Sequence, residues 1–196
     1  MDRHQKRVRH FHEPGDCHEL TFSCYRRMPL LVGDAVRRLV CESIDRAMST
    51  QQFRLAAFVL MPDHVHLLVY PVTPDPRIDR LLLAIKRPAS FRIKRLLQDR
   101  QSPLLKQLTI RERPGKSAFR FWLEGGGYDR NLSQVTTTLS AIDYIHMNPV
   151  RRGLVPQSRH WKWSSARWYE SDGRFVDPDL PTVHGLPWDF FEHVTS

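Results

Sequence analysis

The stretch FRLAAFVLMPDHVHLLVYP (residues 53–71) constrains the fold more than any other part of the chain. Phe53 to Met61 is a continuous apolar run, the pattern of a strand buried on both faces. Pro62 and Asp63 supply turn chemistry, and His64 to Tyr70 reads as the returning strand of a hairpin. Side chains alternate along a strand, so Val65, Leu67 and Val69 share one face while His64 and His66 share the other. Two neighbouring imidazoles at the start of an apolar segment need polar partners, because burying them alone is costly.

The flanking segments complete a pattern. HELTFSCY (18–25) reads as a first strand, and GDAVRRLVCESIDRAM as an amphipathic helix with Asp34 near its start as cap. IDRLLLAIKR and SFRIKRLLQ are helical in spacing, with Pro88 expected to break or kink them. Residues 98–116 are polar and contain Pro103, Pro114 and Gly115, the signature of a long mobile loop. FRFWLEGGGYDRNL gives an aromatic strand end, three glycines and a short edge strand. SQVTTTLSAIDYIHMN is helical, with Ser133 as N-cap, Val135, Leu139 and Ile142 as packing stripe, and Pro149 as terminator.

This order predicts an α+β fold of ferredoxin-like, split β-α-β-β-α-β type: an antiparallel sheet with helices on one face. A C-terminal helix and an irregular Trp/Pro-rich tail follow. The expected organisation is one domain over 1–196, with a core at about 18–155, a basic loop at about 98–116 and a wrapping tail over 156–196. If Val65, Leu67 and Val69 meet the helices, His64 and His66 line the free face of the sheet.

Composition narrows the function. No apolar run approaches the roughly 20 residues of a membrane span, and the charged N-terminus lacks a signal-type apolar stretch, so the expected location is cytoplasmic. Cys17, Cys24 and Cys41 are odd in number and lack paired spacing, against a disulfide framework or a zinc ribbon. The net charge of +9 is uneven: Lys86 to Arg130 holds 12 Lys and Arg against 4 Asp and Glu. Such concentration suggests a polyanion partner, nucleic acid first.

An H-x-H pair on a strand can bring two imidazoles to one metal ion, although surface pairs of this kind are common. Tyr144 and Asn148 stand four apart in DYIHMNP, on one helical face, where an amide oxygen can complete a mixed N/O site. The same residues also fit plain packing and helix termination. Asp63 either orients one histidine or only shapes the turn. Lys86, Arg87, Arg92, Lys94 and Arg95 are suited to neutralising phosphates and equally to a solvated helix face. The run Gly125 to Gly127 suits a phosphate approach or a tight turn, and Trp161, Trp163 and Trp168 suit packing of the tail more than base stacking. His146 points about 200° away from Tyr144 on a helix and reads as structural.

MPDHVHLLV, FRFWLEGGGYDRNL, IDYIHMNPVRRGLV and WKWSSARWY, in this order, resemble the REP-associated tyrosine transposases of the HUH single-strand nuclease superfamily. The resemblance runs from about His18 to Tyr169 and is carried chiefly by YIHMNPVRRGLV together with the H-x-H pair. It implies His64, His66 and Asn148 as ligands of a divalent metal and Tyr144 as the catalytic nucleophile; imidazoles beside amide and phosphate oxygens make Mg²⁺ or Mn²⁺ the expected ion. It implies a single-stranded DNA endonuclease and strand transferase acting beside hairpin or palindromic repeats, through a covalent 5′-phosphotyrosine; a monomer and a homodimer exchanging the last helix both satisfy the motifs. No nucleotide cofactor is expected, since one diester replaces another and no G-x-x-x-x-G-K-[ST] loop is present. Lys86, Arg87, Arg92, Lys94, Arg95 and Arg130 are the expected nucleic-acid contacts. The alternatives are a binder of structured single strands that does not cut, and a metal-dependent nuclease that uses water.

Overall fold

The computed structural model describes residues 16–187 and 190. The N-terminal segment read for signal character lies outside them, as does the end of the tail. The central sheet holds β1 (Cys17–Ser23), β2 (Phe53–Leu60), β3 (His64–Pro71) and β6 (Tyr128–Leu132), in the spatial order β2-β3-β1-β6. All three pairings are antiparallel. With helices α1 (Asp34–Thr50) and α2 (Ile78–Asp99) as crossovers, this is the split β-α-β-β-α-β arrangement.

Pleat and register sort the side chains into two cores. On one face Leu20, Phe22, Leu55, Phe58, Val65, Leu67 and Val69 pack under α1 and α2. On the other, Cys17, Ala57, Val59 and Leu68 pack under α4 (Val135–Arg151) through Ala141, Ile142 and Ile145. The second face is therefore not free: α4 covers part of it. The stripe that packs is Thr138, Ala141, Ile142, Ile145 and Asn148, while Leu139, expected inside, is exposed. Along α4 the apolar positions admit more than one stripe, and contact with β2 and β3 selects this one.

Both helical prolines are tolerated. α2 runs unbroken through Pro88, because Leu81, Ile85, Ala89, Ile93 and Leu97 form a continuous buried stripe that offsets the lost hydrogen bond. α4 continues two residues past Pro149, closed by Arg152 N–H to the Asn148 carbonyl at 3.1 Å and Leu154 N–H to the Pro149 carbonyl at 2.9 Å. Its N-cap is Gln134 rather than Ser133, with no side-chain capping bond.

The segment expected as a mobile loop is structured. It forms a helical turn, α3 (Leu104–Leu108), and a ribbon of β4 (Thr109–Arg113) with β5 (Lys116–Phe119). Pro114 and Gly115, taken as loop signals, make the ribbon's turn, with Gly115 at φ +75°. The tail returns to the sheet. Ser164 bridges to Val59, Leu60 N–H donates to the Trp163 carbonyl at 2.8 Å, and Trp161 Nε1 donates to the Leu60 carbonyl at 3.0 Å. A short helix, α5 (Ala166–Glu170), follows. Trp161, Trp163 and Trp168 serve packing: Trp163 is buried, and Trp168 lies against Gly173 and Gly185. Among the described residues, no helix is long and apolar enough to cross a membrane. All three cysteines are free and buried.

Candidate active site

The site forms where β1, β3 and α4 meet. The register places Thr21 opposite both His66 and Tyr128, and His66 opposite Val59, so these side chains form a row across the α4-facing surface. His64 precedes His66 on the same face, and both rings are buried, at 7% and 6% exposure.

Every imidazole nitrogen has a partner. His64 Nδ1–H donates to Asp63 Oδ1 at 2.7 Å, so Asp63 orients the ring as well as making the turn. His66 Nδ1 lies 2.7 Å from Thr21 Oγ1. The two Nε2 atoms are 3.0 Å apart, and the Asn148 side-chain amide lies 3.1 Å from His66 Nε2. Burial, more than any neighbour, lowers both histidines; His66 falls to about 3, helped by His64 and Arg152. Both rings are therefore neutral near pH 7, the form that offers lone pairs.

Tyr144 stands beside this pair. Its ring lies 5.7 Å from His66, centroid to centroid, and almost perpendicular to it at 88°. It is 41% exposed and shares a cleft of about 660 Å³ with His66 and Thr21. The Arg151 guanidinium sits 5.1 Å from the Tyr144 ring centroid, and Arg152 Nη1 lies 3.9 Å from Asp63 Oδ2. One chain thus brings Tyr144, His64, His66, Asn148 and Asp63 together. Because α4 extends past Pro149, Asn148 lies within the helix, one turn after Tyr144.

The donor set fits a divalent cation. With Asp63 holding the Nδ1 proton of His64, the Nε2 lone pair of that ring faces His66. A Thr21 hydroxyl that accepts from His66 Nδ1 leaves the second lone pair facing the first. Two nitrogens in adjacent octahedral positions at about 2.1 Å from an ion stand about 3.0 Å apart. The Asn148 amide offers its oxygen after a half-turn. Among the described residues no group of three or more His, Cys, Asp or Glu is placed to hold a metal; the Asn148 amide stands beside the histidine pair, 3.1 Å from His66 Nε2.

The model of the family "Transposase IS200 like" matches residues 17–109. Over that segment the chain is similar to the IS200-like transposases. The matched segment contains the H-x-H pair and stops before α4. No curated protein sequence matches this chain. Among solved structures, a REP-associated tyrosine transposase bound to a REP hairpin shares the fold at a TM-score of 0.66. It is 17% identical, with 94% of this chain and 95% of that one covered. A Deinococcus radiodurans protein provisionally described as a transposase aligns at a TM-score of 0.44 and 20% identity, over 74% of this chain and 97% of that one.

The expected DNA-contacting cations are not gathered at this site. Lys86, Arg87, Arg92, Lys94 and Arg95 lie on α2, which packs on the opposite face of the sheet from His66. Lys86 Nζ donates to the Gly125 carbonyl at 2.7 Å, and Arg92 pairs with Glu42 of α1. Arg130 alone of that set lines the cleft, paired with Glu19 at 2.9 Å. The triple glycine makes a tight approach to β1 just before the edge strand begins: at Gly127, with φ +83°, a Cβ would stand 2.2 Å from the Thr21 carbonyl oxygen. His146 is structural, bonded to Ser165 Oγ at 2.8 Å and edge-on to Tyr169. Sequence reading missed Thr21, Arg151 and Arg152. The RR after the proline in NPVRRG was the available signal for the last two; Thr21 had none, since its role depends on pairing with β3.

Proposed function

We propose that the chain is a metal-dependent endonuclease and strand transferase for single-stranded DNA beside hairpin repeats, with Tyr144 as nucleophile. The observation that carries this reading is the meeting, in one chain, of an exposed phenol with a pair of neutral, oriented imidazoles, of which His66 lines the same cleft as the phenol. His64, His66 and Asn148 would hold Mg²⁺ or Mn²⁺, which when bound polarises the scissile phosphate and stabilises charge on its oxygens. Asp63 and Thr21 fix the two rings. The Tyr144 oxygen attacks phosphorus and the P–O3′ bond breaks, leaving a 5′-phosphotyrosine diester and a free 3′-OH. Overall one proton passes from the phenol to the departing oxygen. Because a diester is kept, the same step run backwards joins strands. Arg151 places positive charge beside the phenol, where a phosphate anion would approach.

The fold shared with a REP hairpin-bound transposase supports a hairpin as substrate. The test is incubation with 5′- or 3′-labelled hairpin DNA carrying single-stranded flanks, in Mg²⁺ or Mn²⁺, followed by denaturing gels. A protein–DNA adduct on the 5′-phosphate side is the expected product. Cleavage without an adduct would assign the nucleophile to water.

A further inference from the structure

Glu19 is a buried carboxylate that the proposed chemistry does not use. Its side chain is 8% exposed and pairs with Arg130 at 2.9 Å. It sits on β1 two residues before Thr21, so it shares the His66 face about 7 Å further along the strand. The register sets Arg130, Glu19 and Leu68 in one row beside the row of Tyr128, Thr21 and His66. Cys17, Leu68 and Leu132, its neighbours on that face, are apolar and buried. A charge there is costly, and an apolar side chain would serve the fold at least as well. Yet Glu19 and Arg130 line the same cleft as Tyr144, with Tyr128 at 56% exposure on its wall.

We propose that Glu19 and Arg130 form a base-reading subsite for the unpaired nucleotide next to the cut, selecting a base with an exocyclic amino group. This rests on the reading that single-stranded DNA enters the Tyr144 cleft. An ionised carboxylate only accepts hydrogen bonds, and its two oxygens carry about four lone-pair sites, so Glu19 can hold Arg130 and a ligand donor together. Cytosine, adenine and guanine present such an amino group; thymine presents a carbonyl in its place. Arg130 fixes the carboxylate and can donate to a neighbouring ring nitrogen or carbonyl of the same base. Tyr128 offers an aromatic face for stacking, which tolerates any base and leaves the choice to the carboxylate. A cleft of about 660 Å³ admits a nucleotide.

The test measures binding rather than cleavage, so it stands apart from the nucleophile assignment. Tyr144→Phe protein is titrated by anisotropy against hairpins with flanks of dC, dT or 2-pyrimidinone, the last being cytosine without its amino group. The expected result is at least 10-fold tighter binding of dC than of either other flank. Glu19→Gln should bring the three within about 3-fold while the bare hairpin binds unchanged. The analogue series uses an intact Glu19, so it decides the matter even if Glu19→Gln folds poorly. Equal affinity for dC and 2-pyrimidinone, or a preference that survives Glu19→Gln, would overturn the proposal. Loss of adduct formation by the wild type, with the dC preference intact, would instead remove the nuclease reading and leave the subsite.

Discussion

Tyr144 stands edge-on to His66, with ring centroids 5.7 Å apart, although 78 positions separate them in the chain. The helix that carries the phenol is anchored by Ala141, Ile142 and Ile145, so its approach to β3 is set by core packing. Tyr144→Phe removes one exposed oxygen and leaves that packing alone. Adduct formation should fall at least about 10³-fold on denaturing gels, while hairpin affinity stays within about 2-fold. A variant that cuts like the wild type would point to water.

The paired Nε2 atoms, 3.0 Å apart, should make the protein respond to metal. An ion that binds the folded chain alone at 100 times its Kd stabilises by about 2.7 kcal/mol. Mn²⁺ should therefore raise the wild-type Tm by several degrees, and His64→Ala or His66→Ala should abolish the shift. Hairpin binding should persist in both. Parallel loss of DNA binding and of folding cooperativity would mean that the histidines hold the fold instead.

Thr21 bonds His66 at Nδ1, the nitrogen turned away from the paired Nε2 atoms, so its effect should be graded. Thr21→Val keeps the shape and removes the hydroxyl at 2.7 Å from Nδ1. Metal affinity should drop about 10- to 100-fold. Calorimetric Mn²⁺ titration separates this from unfolding, since Tm without metal should change by only about the value of one hydrogen bond, roughly 1 kcal/mol. An unaltered Mn²⁺ affinity would remove Thr21 from the site.

Asp179 ties the tail to α1. It accepts two bonds from Arg38, at 2.7 and 3.1 Å, and one from Lys162 at 2.6 Å. These partners lower its carboxyl to about 2 from 3.8. A carboxyl depressed in the folded state contributes stability above its unfolded value and loses it as pH falls from about 4 to about 2. Asp179→Asn should therefore lower Tm at pH 7 and leave it closer to wild type near pH 2. Parallel Tm–pH curves for the two proteins would show that the clamp contributes nothing.

The cations of α2 face away from the cleft, so their part in binding is open to a direct measurement. Arg87 and Arg95 are exposed. If a hairpin stem wraps the β6 edge onto α2, replacing both by Ala should reduce the slope of log K against log salt by about 2 for duplex contacts. That reduction is the expected outcome. An unchanged slope would confine the DNA to the α4 side.

Local chemistry marked the hairpin of β2 and β3, its turn, and the face on which the histidines lie. Those features depend on alternation and turn residues, which are written in consecutive positions. The ribbon at 109–119 escaped notice because its strands are short and charged, with Pro114 and Gly115 reading equally as loop and as turn. The prolines misled for a related reason. Their cost is local and fixed, whereas the core contacts that outweigh it along α2, and the carbonyl bonds that close α4, come from residues distributed along the chain.

By itself the sequence determined that two imidazoles share a strand face, that a phenol and an amide share a helical turn, and that positive charge gathers in one segment. Tertiary structure alone decided that these groups meet, that Thr21 supports His66, that Glu19 lies buried beside them, and that most of the gathered charge ends up behind the sheet. The reason is physical. Spacing along the chain fixes direction on one element, but distance between elements follows from which apolar faces pack together, and that choice is made by the whole core at once.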